Sequence, residues 1–292
     1  MAESDGVLVI GEALVDVVVR AGTTEEHPGG SPANVALGLG RLGLGPALLT
    51  VIGRDPRGEA IREHLRASGV RVLESSFSAE HTASATATIG ADGSATYDFD
   101  IAWDLAPGLP VGSPRLVHTG SIAAFLAPGA AAVRGYLAEA PIVTFDPNIR
   151  PALLGSPEET RTVFASTAAL ATVVKLSDED AEWLYPGEGV GAVLQRILDL
   201  GPELAVITRG GDGAELATAE LRVEVPRVPT KVADTIGAGD TYMTSLIASL
   251  LDRGPGALTR GWVQDAGRRA ARAAALTVSR RGADLPWAHE LD

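Results

Sequence analysis

The sequence predicts a three-layer α/β fold with a mainly parallel central sheet and a small β-sheet lid. Short β-branched runs alternate along the chain with longer helical patterns, as in successive β-α-β units. Most of those runs are apolar throughout, as expected of strands covered on both faces. With 292 residues and 46% hydrophobic content, the chain can bury one large core.

Taken in order, Val7–Ile10, Ala47–Ile52, Leu116–Thr119, Ile142–Phe145, Val173–Leu176 and Leu204–Thr208 read as buried parallel strands. Between and after them, Pro32–Leu42, Glu59–Ser68, Pro128–Glu139, Pro157–Ala171, Asp178–Leu184, Val190–Leu200 and Thr241–Leu251 read as helices. The Ala-rich Arg260–Ser279 adds a last long helix. Two strand-like segments break the alternation. They are Val15–Val19, and Thr82–Ile89 with Thr96–Phe99 across a turn at Ala91-Asp92-Gly93. These predict a lid discontinuous in sequence, from about 12–28 and 82–103, on a single domain spanning 1–292.

Composition excludes several function classes. The net charge of −13 leaves no basic stripe for nucleic acid or an anionic membrane. No cysteine is present, so disulfides and thiolate metal sites are excluded. No run reaches membrane-span length, and Val7–Ile10 is too short for a signal peptide, which leaves a cytoplasmic expectation. The only lysines are Lys175 and Lys231, and neither lies in a G-x-x-x-x-G-K-[ST] loop, which excludes a P-loop NTPase. The five histidines are scattered without metal-ligand spacing.

The most informative motif is Asp234-Thr235-Ile236-Gly237-Ala238-Gly239-Asp240. It runs straight into a helix whose buried face is Met243, Leu246, Ile247, Leu250 and Leu251. The N–H groups of Gly237, Ala238, Gly239 and Asp240 therefore stand free at a helix N-terminus, where an anion is favoured. A carboxylate beside such a cradle can take a proton from a hydroxyl while the cradle holds the transferring group. That combination reads as phosphoryl transfer.

Pro28-Gly29-Gly30-Ser31-Pro32-Ala33-Asn34 permits close backbone approach at Gly29-Gly30. Ser31 is read as the cap of the next helix, with Asn34 in its first turn; an ordinary loop-to-helix junction is the alternative. Gly38-Leu39-Gly40-Arg41-Leu42-Gly43 matches G-x-G-x-x-G but ends a helix instead of opening one, which argues against a nicotinamide site. Gly29-x-Ser31-x-Ala33 fails as a nucleophile elbow because Pro32 has no N–H for an oxyanion.

Further candidates follow strands, where α/β proteins bind ligands. In Phe145-Asp146-Pro147-Asn148-Ile149-Arg150, Arg150 suits a sugar oxygen or a phosphate, and a turn held by Asx hydrogen bonds is the alternative. Lys175-Leu176-Ser177-Asp178-Glu179-Asp180 offers Asp180 to a hydrated Mg²⁺, or else a capping box between Ser177 and Asp180. Thr208-Arg209-Gly210-Gly211-Asp212-Gly213 lets a nucleotide approach the backbone, or is a plain turn into an Ala214–Ala217 strand.

On these residues the chain resembles the ribokinase-like (PfkB) family of carbohydrate kinases. The two signatures are Gly29-Gly30-x-x-Ala33-Asn34 and Asp234-Thr235-x-Gly237-Ala238-Gly239-Asp240, and order, spacing and α/β alternation agree over essentially the whole chain. The resemblance implies a ribokinase-like α/β/α core with a β lid, and Mg·ATP-dependent phosphorylation of a sugar hydroxyl. It implies Asp240 as catalytic base, with Gly237, Ala238 and Gly239 as the anion hole. Asp16, Gly29, Gly30, Asn34 and Arg150 would bind sugar, and Lys175, Ser177, Thr208, Gly210 and Gly213 the nucleotide. Asp180 would meet Mg²⁺ through water, while Asp234, Ile236 and Gly282 would hold a monovalent cation such as K⁺. Ser177 and Asp180 depart from the asparagine and glutamate usual in ribokinases. Gly-Gly-Ser-Pro-Ala-Asn with Asp-Pro-Asn-x-Arg looks more like fructokinases and 2-keto-3-deoxygluconate kinases, and fructose is the first choice of acceptor. A homodimer through the lid is a further implication, and a non-catalytic sugar sensor is the rival from another class.

Overall fold

The computed structural model describes residues 6–20, 22–90, 94–253 and 258–291. In chain order these form strands β1 (Val7–Ile10), β2 (Leu14–Arg20) and β3 (Thr23–Gly29), helix α1 (Ser31–Arg41), β4 (Ala47–Leu49), α2 (Pro56–Ala67) and β5 (Arg71–Val72). There follow β6 (Ser84–Ile89), β7 (Ala95–Asp100), β8 (Leu116–Gly120), α3 (Gly129–Ala138), β9 (Val143–Asp146), α4 (Pro157–Ala168), β10 (Val173–Ser177), α5 (Asp178–Leu184) and α6 (Val190–Asp199). The chain continues through β11 (Leu204–Thr208), β12 (Ala214–Ala217), β13 (Arg222–Val225), α7 (Ala238–Asp252) and α8 (Arg260–Val278).

Nine strands form one sheet in the order β13-β12-β11-β10-β9-β8-β1-β4-β5, with parallel neighbours except for the antiparallel pairs β11–β12 and β12–β13. Its apolar strands divide their side chains between two cores. Val7 and Val9 of β1 pack with α1, α2, α7 and α8, whereas Leu8 and Ile10 pack with α3 to α6. That division is the three-layer arrangement expected from uninterrupted apolar strands.

The other four strands make a separate sheet in the order β3-β2-β6-β7. Its central pair, β2 and β6, is parallel from Val15↔Ser84 to Arg20↔Ile89, so two distant chain segments build one sheet. The strands lie at 14–29 and 84–100, and the anticipated turn at Ala91-Asp92-Gly93 lies outside the described residues.

The differences from expectation have local causes. Strand β3 reads T-T-E-E-H-P-G and β13 is a short edge strand, so neither carries an apolar run. Strand β4 stops at Leu49 because Thr50 N–H turns to the Ser76 hydroxyl (3.0 Å) instead of the sheet. Helix α2 starts at Pro56, three residues early, because the Asp55 carboxylate caps it by accepting from Gly58 N–H at 2.8 Å.

Gly38 and Gly40 lie inside α1, and both have packing reasons to be glycine. A Cβ on Gly38 would come 2.6 Å from Leu285 Cδ2 and 2.7 Å from Thr244 Oγ1, and one on Gly40 would strike the Ser68 carbonyl. Gly38 and Gly40 are thus close-packing positions, against α7 and the end of α2 respectively, whereas Gly43 faces open space. We expect Gly40→Ala to lower unfolding stability by about 1–3 kcal/mol, because backbone cannot yield as a side chain would. Urea denaturation reads the change, and an unchanged midpoint would refute the packing assignment.

Candidate active site

Helix α7 begins behind Gly237, whose φ of 77° places it in the left-handed region that favours glycine. Met243, Leu246, Ile247 and Leu250 bury its apolar face and fix its direction. Thr241 N–H makes the first strong helical bond, to Gly237 C=O at 2.9 Å. Among the described residues, the Gly239 and Asp240 N–H groups have no backbone acceptor. They remain available to an anion, as the helix start requires.

Asp240 stands in the first turn of α7 and is buried. Its Oδ1 accepts from the Ser31 hydroxyl at 2.7 Å, and its Oδ2 from the Asn34 amide at 2.8 Å. Burial pushes the Asp240 carboxyl above the ordinary carboxylate range, while Ser31, Asn34 and the charges of Lys175 and Arg150 pull it back. The result is a desolvated carboxylate aimed beside free N–H donors.

The Ser31 expectation requires correction. Gly30, at φ 104°, is the cap residue of α1, and no side chain caps the helix. Ser31 lies within the helix and spends its hydroxyl on Asp240, a partner 209 residues away that local sequence cannot reveal. Gly29 and Gly30 are close-approach positions: a Cβ on Gly29 would strike the Asp16 carboxylate, and one on Gly30 would come 2.5 Å from the Glu12 carbonyl. Arg150 Nη1 folds onto its own loop, donating to Asn148 Oδ1 at 2.7 Å, while its charge acts on Glu12, Asp16 and Asp240. Asn34 thus touches Asp240, Gly29 lies against Asp16, and Arg150 is near enough for its charge to act on both carboxylates.

Other candidates are placed differently. Lys175 is not turned outward: it is buried, with Nζ 2.6 Å from Asp146 Oδ2. Ser177 and Asp180 form the capping box of α5, and Asp180 uses Oδ1 on Ile149 N–H (2.8 Å) and Oδ2 on Ser177 N–H (3.1 Å). Its carboxylate is an internal cap with both oxygens engaged. Thr208 Oγ1 donates to Leu176 C=O at 3.3 Å. Gly210 and Gly213 frame a tight turn into β12, and a Cβ on Gly213 would strike the Val225 carbonyl.

Asp234 ties together the residues expected at a monovalent cation. It accepts from Ile236 N–H at 3.1 Å and from Gly282 N–H at 2.9 Å. Those bonds hold its carboxyl below the usual range. Among the described residues no group of three or more His, Cys, Asp or Glu side chains is placed to hold a metal ion. With one carboxylate, already accepting from two backbone N–H groups, the Asp234 set does not fit a resident divalent ion.

Sequence reasoning does not find Glu12. It is buried where β1 leaves the sheet, accepts from Ala123 N–H at 3.1 Å, and burial pushes its carboxyl up to about 7. Nothing in Gly11-Glu12-Ala13 signals such burial, which depends on residues more than a hundred positions away.

The chain matches the model described as pfkB family carbohydrate kinase over residues 5–290. It is 33% identical over 260 residues to a fructokinase of Rhizobium leguminosarum bv. trifolii, covering 84% of this chain and 79% of that one. Among solved structures, an aminoimidazole riboside kinase from Salmonella enterica, complexed with aminoimidazole riboside and an ATP analog, superposes with a TM-score of 0.82. It is 26% identical and covers 98% of each chain. A double mutant of the fructokinase from Vibrio cholerae O395, in a form with fructose, ADP and potassium ion bound, also gives 0.82. It is 27% identical and covers 97% of this chain and 95% of that one. No helix among the described residues is long and apolar enough to cross a membrane.

The burial of Glu12 has a pH signature. Between 4.5 and about 7 the folded chain binds more protons at this site than the unfolded chain, so its contribution to stability falls as pH rises through that window. Glu12→Gln should abolish this decline, so that the wild type loses stability relative to the variant between pH 4.5 and about pH 7. Paired urea titrations read the difference, and parallel pH curves would contradict the assignment.

Proposed function

Because this chain belongs to the pfkB family of carbohydrate kinases, we propose that it transfers the γ-phosphoryl group of ATP to a hydroxyl of fructose. That it is a phosphotransferase with an alcohol acceptor follows from the family; the choice of sugar is supported by the fructokinases among its relatives. The observation that carries the reading is Asp240, buried at the start of α7 and held by Ser31 and Asn34 from the other signature.

In this reading Asp16, Gly29, Gly30, Asn34 and Arg150 receive the sugar, and the small sheet acts as its lid. Asp240 accepts the proton of the attacking hydroxyl. The sugar oxygen forms its bond to the γ-phosphorus as the bond to the β–γ bridging oxygen breaks, and ADP leaves. The Gly239 and Asp240 N–H groups face the charge on the transferring oxygens; Ala238 does not join them, because its own N–H goes to Thr235 C=O at 3.3 Å. A loose transition state of this kind is served more by positioning and fixed dipoles than by base strength. The Thr208–Gly213 turn and Ser177 form the nucleotide side, and Mg²⁺ enters on the nucleotide phosphates, where it offsets their charge. We further read the protein as cytoplasmic, and the edge strands β3 and β7 of the lid as the surface on which two copies pair.

ADP release should appear with fructose and be weaker with 2-keto-3-deoxygluconate, ribose, adenosine and aminoimidazole riboside. A different preferred acceptor would reassign the substrate, and no release with any of them would favour a sugar sensor. Asp240→Asn should retain sugar binding and lose at least about 10² in kcat; near-normal turnover would remove Asp240 from the role of base. Ser31→Ala withdraws a donor that favours the ionised carboxylate, so the acid limb of the kcat–pH profile should move to higher pH. An unmoved limb would show that Ser31 does not tune the base.

A further inference from the structure

Beneath the anion turn lies a buried ion pair that the reaction described above does not use. Lys175 of β10 and Asp146 of β9 sit on adjacent strands, 3% and 1% exposed, with Nζ and Oδ2 2.6 Å apart. The ammonium points at α7: a Cβ built on Gly239 would stand 3.0 Å from Lys175 Nζ. Gly239 is thus the thin floor of the anion turn, with a cation directly under it.

For stability alone this placement has the wrong sign. A helix N-terminus carries partial positive charge and favours anions, so a cation there costs free energy. Burying an ion pair adds a desolvation cost that well-packed apolar side chains avoid. The neighbouring groups do not soften the arrangement. His118, on β8, bonds Thr144 and is held neutral, its pKa pushed down to about 3 by burial and by the charge of Lys175. Asp146 Oδ1 is buried without a partner among the described residues. Two sources of positive potential, the helix start and the ammonium, therefore converge on one spot that faces the anion site.

We propose that Lys175 is a positioning residue for phosphoryl transfer: held by Asp146 under Gly239, its ammonium adds positive potential to the anion turn from inside the protein. The proposal rests on the kinase reading. The ammonium does not touch the transferring group; it acts through the glycine floor, where the low-dielectric interior screens it little. A nucleotide phosphate bound to the Gly239 and Asp240 N–H groups then faces the helix dipole and, behind it, the ammonium end of the ion pair. The same charge favours the ionised form of Asp240.

The test separates charge from architecture with two variants, Lys175→Met and the double variant Lys175→Met/Asp146→Asn. The single variant leaves Asp146 buried and unpaired, so it should lose both melting temperature and rate. The double variant removes both charges together and should regain most of the melting temperature. Its kcat should stay at least about 10-fold below wild type. Calorimetric affinity for the panel sugar that releases most ADP, measured without ATP, should remain within about 3-fold of wild type, so that the loss falls on turnover. A double variant that recovers half or more of the wild-type kcat would overturn the proposal. So would a matching loss of sugar affinity, or failure of both variants to fold, since each assigns the pair to architecture alone. Wild-type protein that releases no ADP with any sugar removes the kinase reading itself, and the proposal with it.

Discussion

The site depends on one contact, between the first turn of α1 and the first turn of α7, made through the Asp240 carboxylate. Leaving that carboxylate buried without partners would cost several kcal/mol, and Ser31 and Asn34 offset the cost from the opposite end of the sequence. Their reach is set lower down the two helices. Gly38 lets α1 lie directly against Thr244, whose hydroxyl also bonds its own helix at Asp240 C=O, 2.8 Å away. A bulkier residue at position 38 would part the helices and lengthen both bonds to the carboxylate. The packing of an ordinary helix pair and the geometry of the reactive group are one constraint.

Charge is distributed on two scales. The chain carries a net −13, so its distant field opposes a polyphosphate. That field fades over about 8–10 Å at physiological salt, and inside that range the local groups decide. The free N–H donors of α7, the Arg150 guanidinium and the buried Lys175 all present positive potential toward the same region. An acidic surface and an anion-binding interior are compatible because screening separates them.

Where an element carried its own signal, it could be read from sequence. The apolar strands, the periodic helices and the Gly237–Asp240 turn are local patterns, and each appears within a few residues of its expected bounds. Strand β3 escaped because it is held by register with β2, Leu14↔Gly29 to Arg20↔Thr23, and not by hydrophobicity. The site divides the same way. Asp240 and Asn34 lie in recognisable motifs, whereas the Ser31 hydroxyl, Glu12 and the Lys175–Asp146 pair take their meaning from partners brought by the fold. The family resemblance assigns Lys175 to the nucleotide, but its side chain is buried against Asp146. Adjacent strands and the start of α7 enclose it, which sequence spacing does not encode. Asp180 shows the reverse: its capping spacing was visible, and the cap is what its carboxylate does.

One connection has a mechanical consequence. Strand β3 ends at Gly29 and α1 begins at Ser31, so a single residue, Gly30, joins the small sheet to the helix whose first turn grips Asp240. Gly30 occupies a backbone conformation that a substituted residue seldom tolerates, and a Cβ there would come 2.5 Å from the Glu12 carbonyl. Any rocking of the sheet would therefore be delivered to Ser31 with almost no slack. A sheet that moved would act as a lever with its fulcrum at Gly30, gearing occupancy on its inner side to the alignment of the carboxylate.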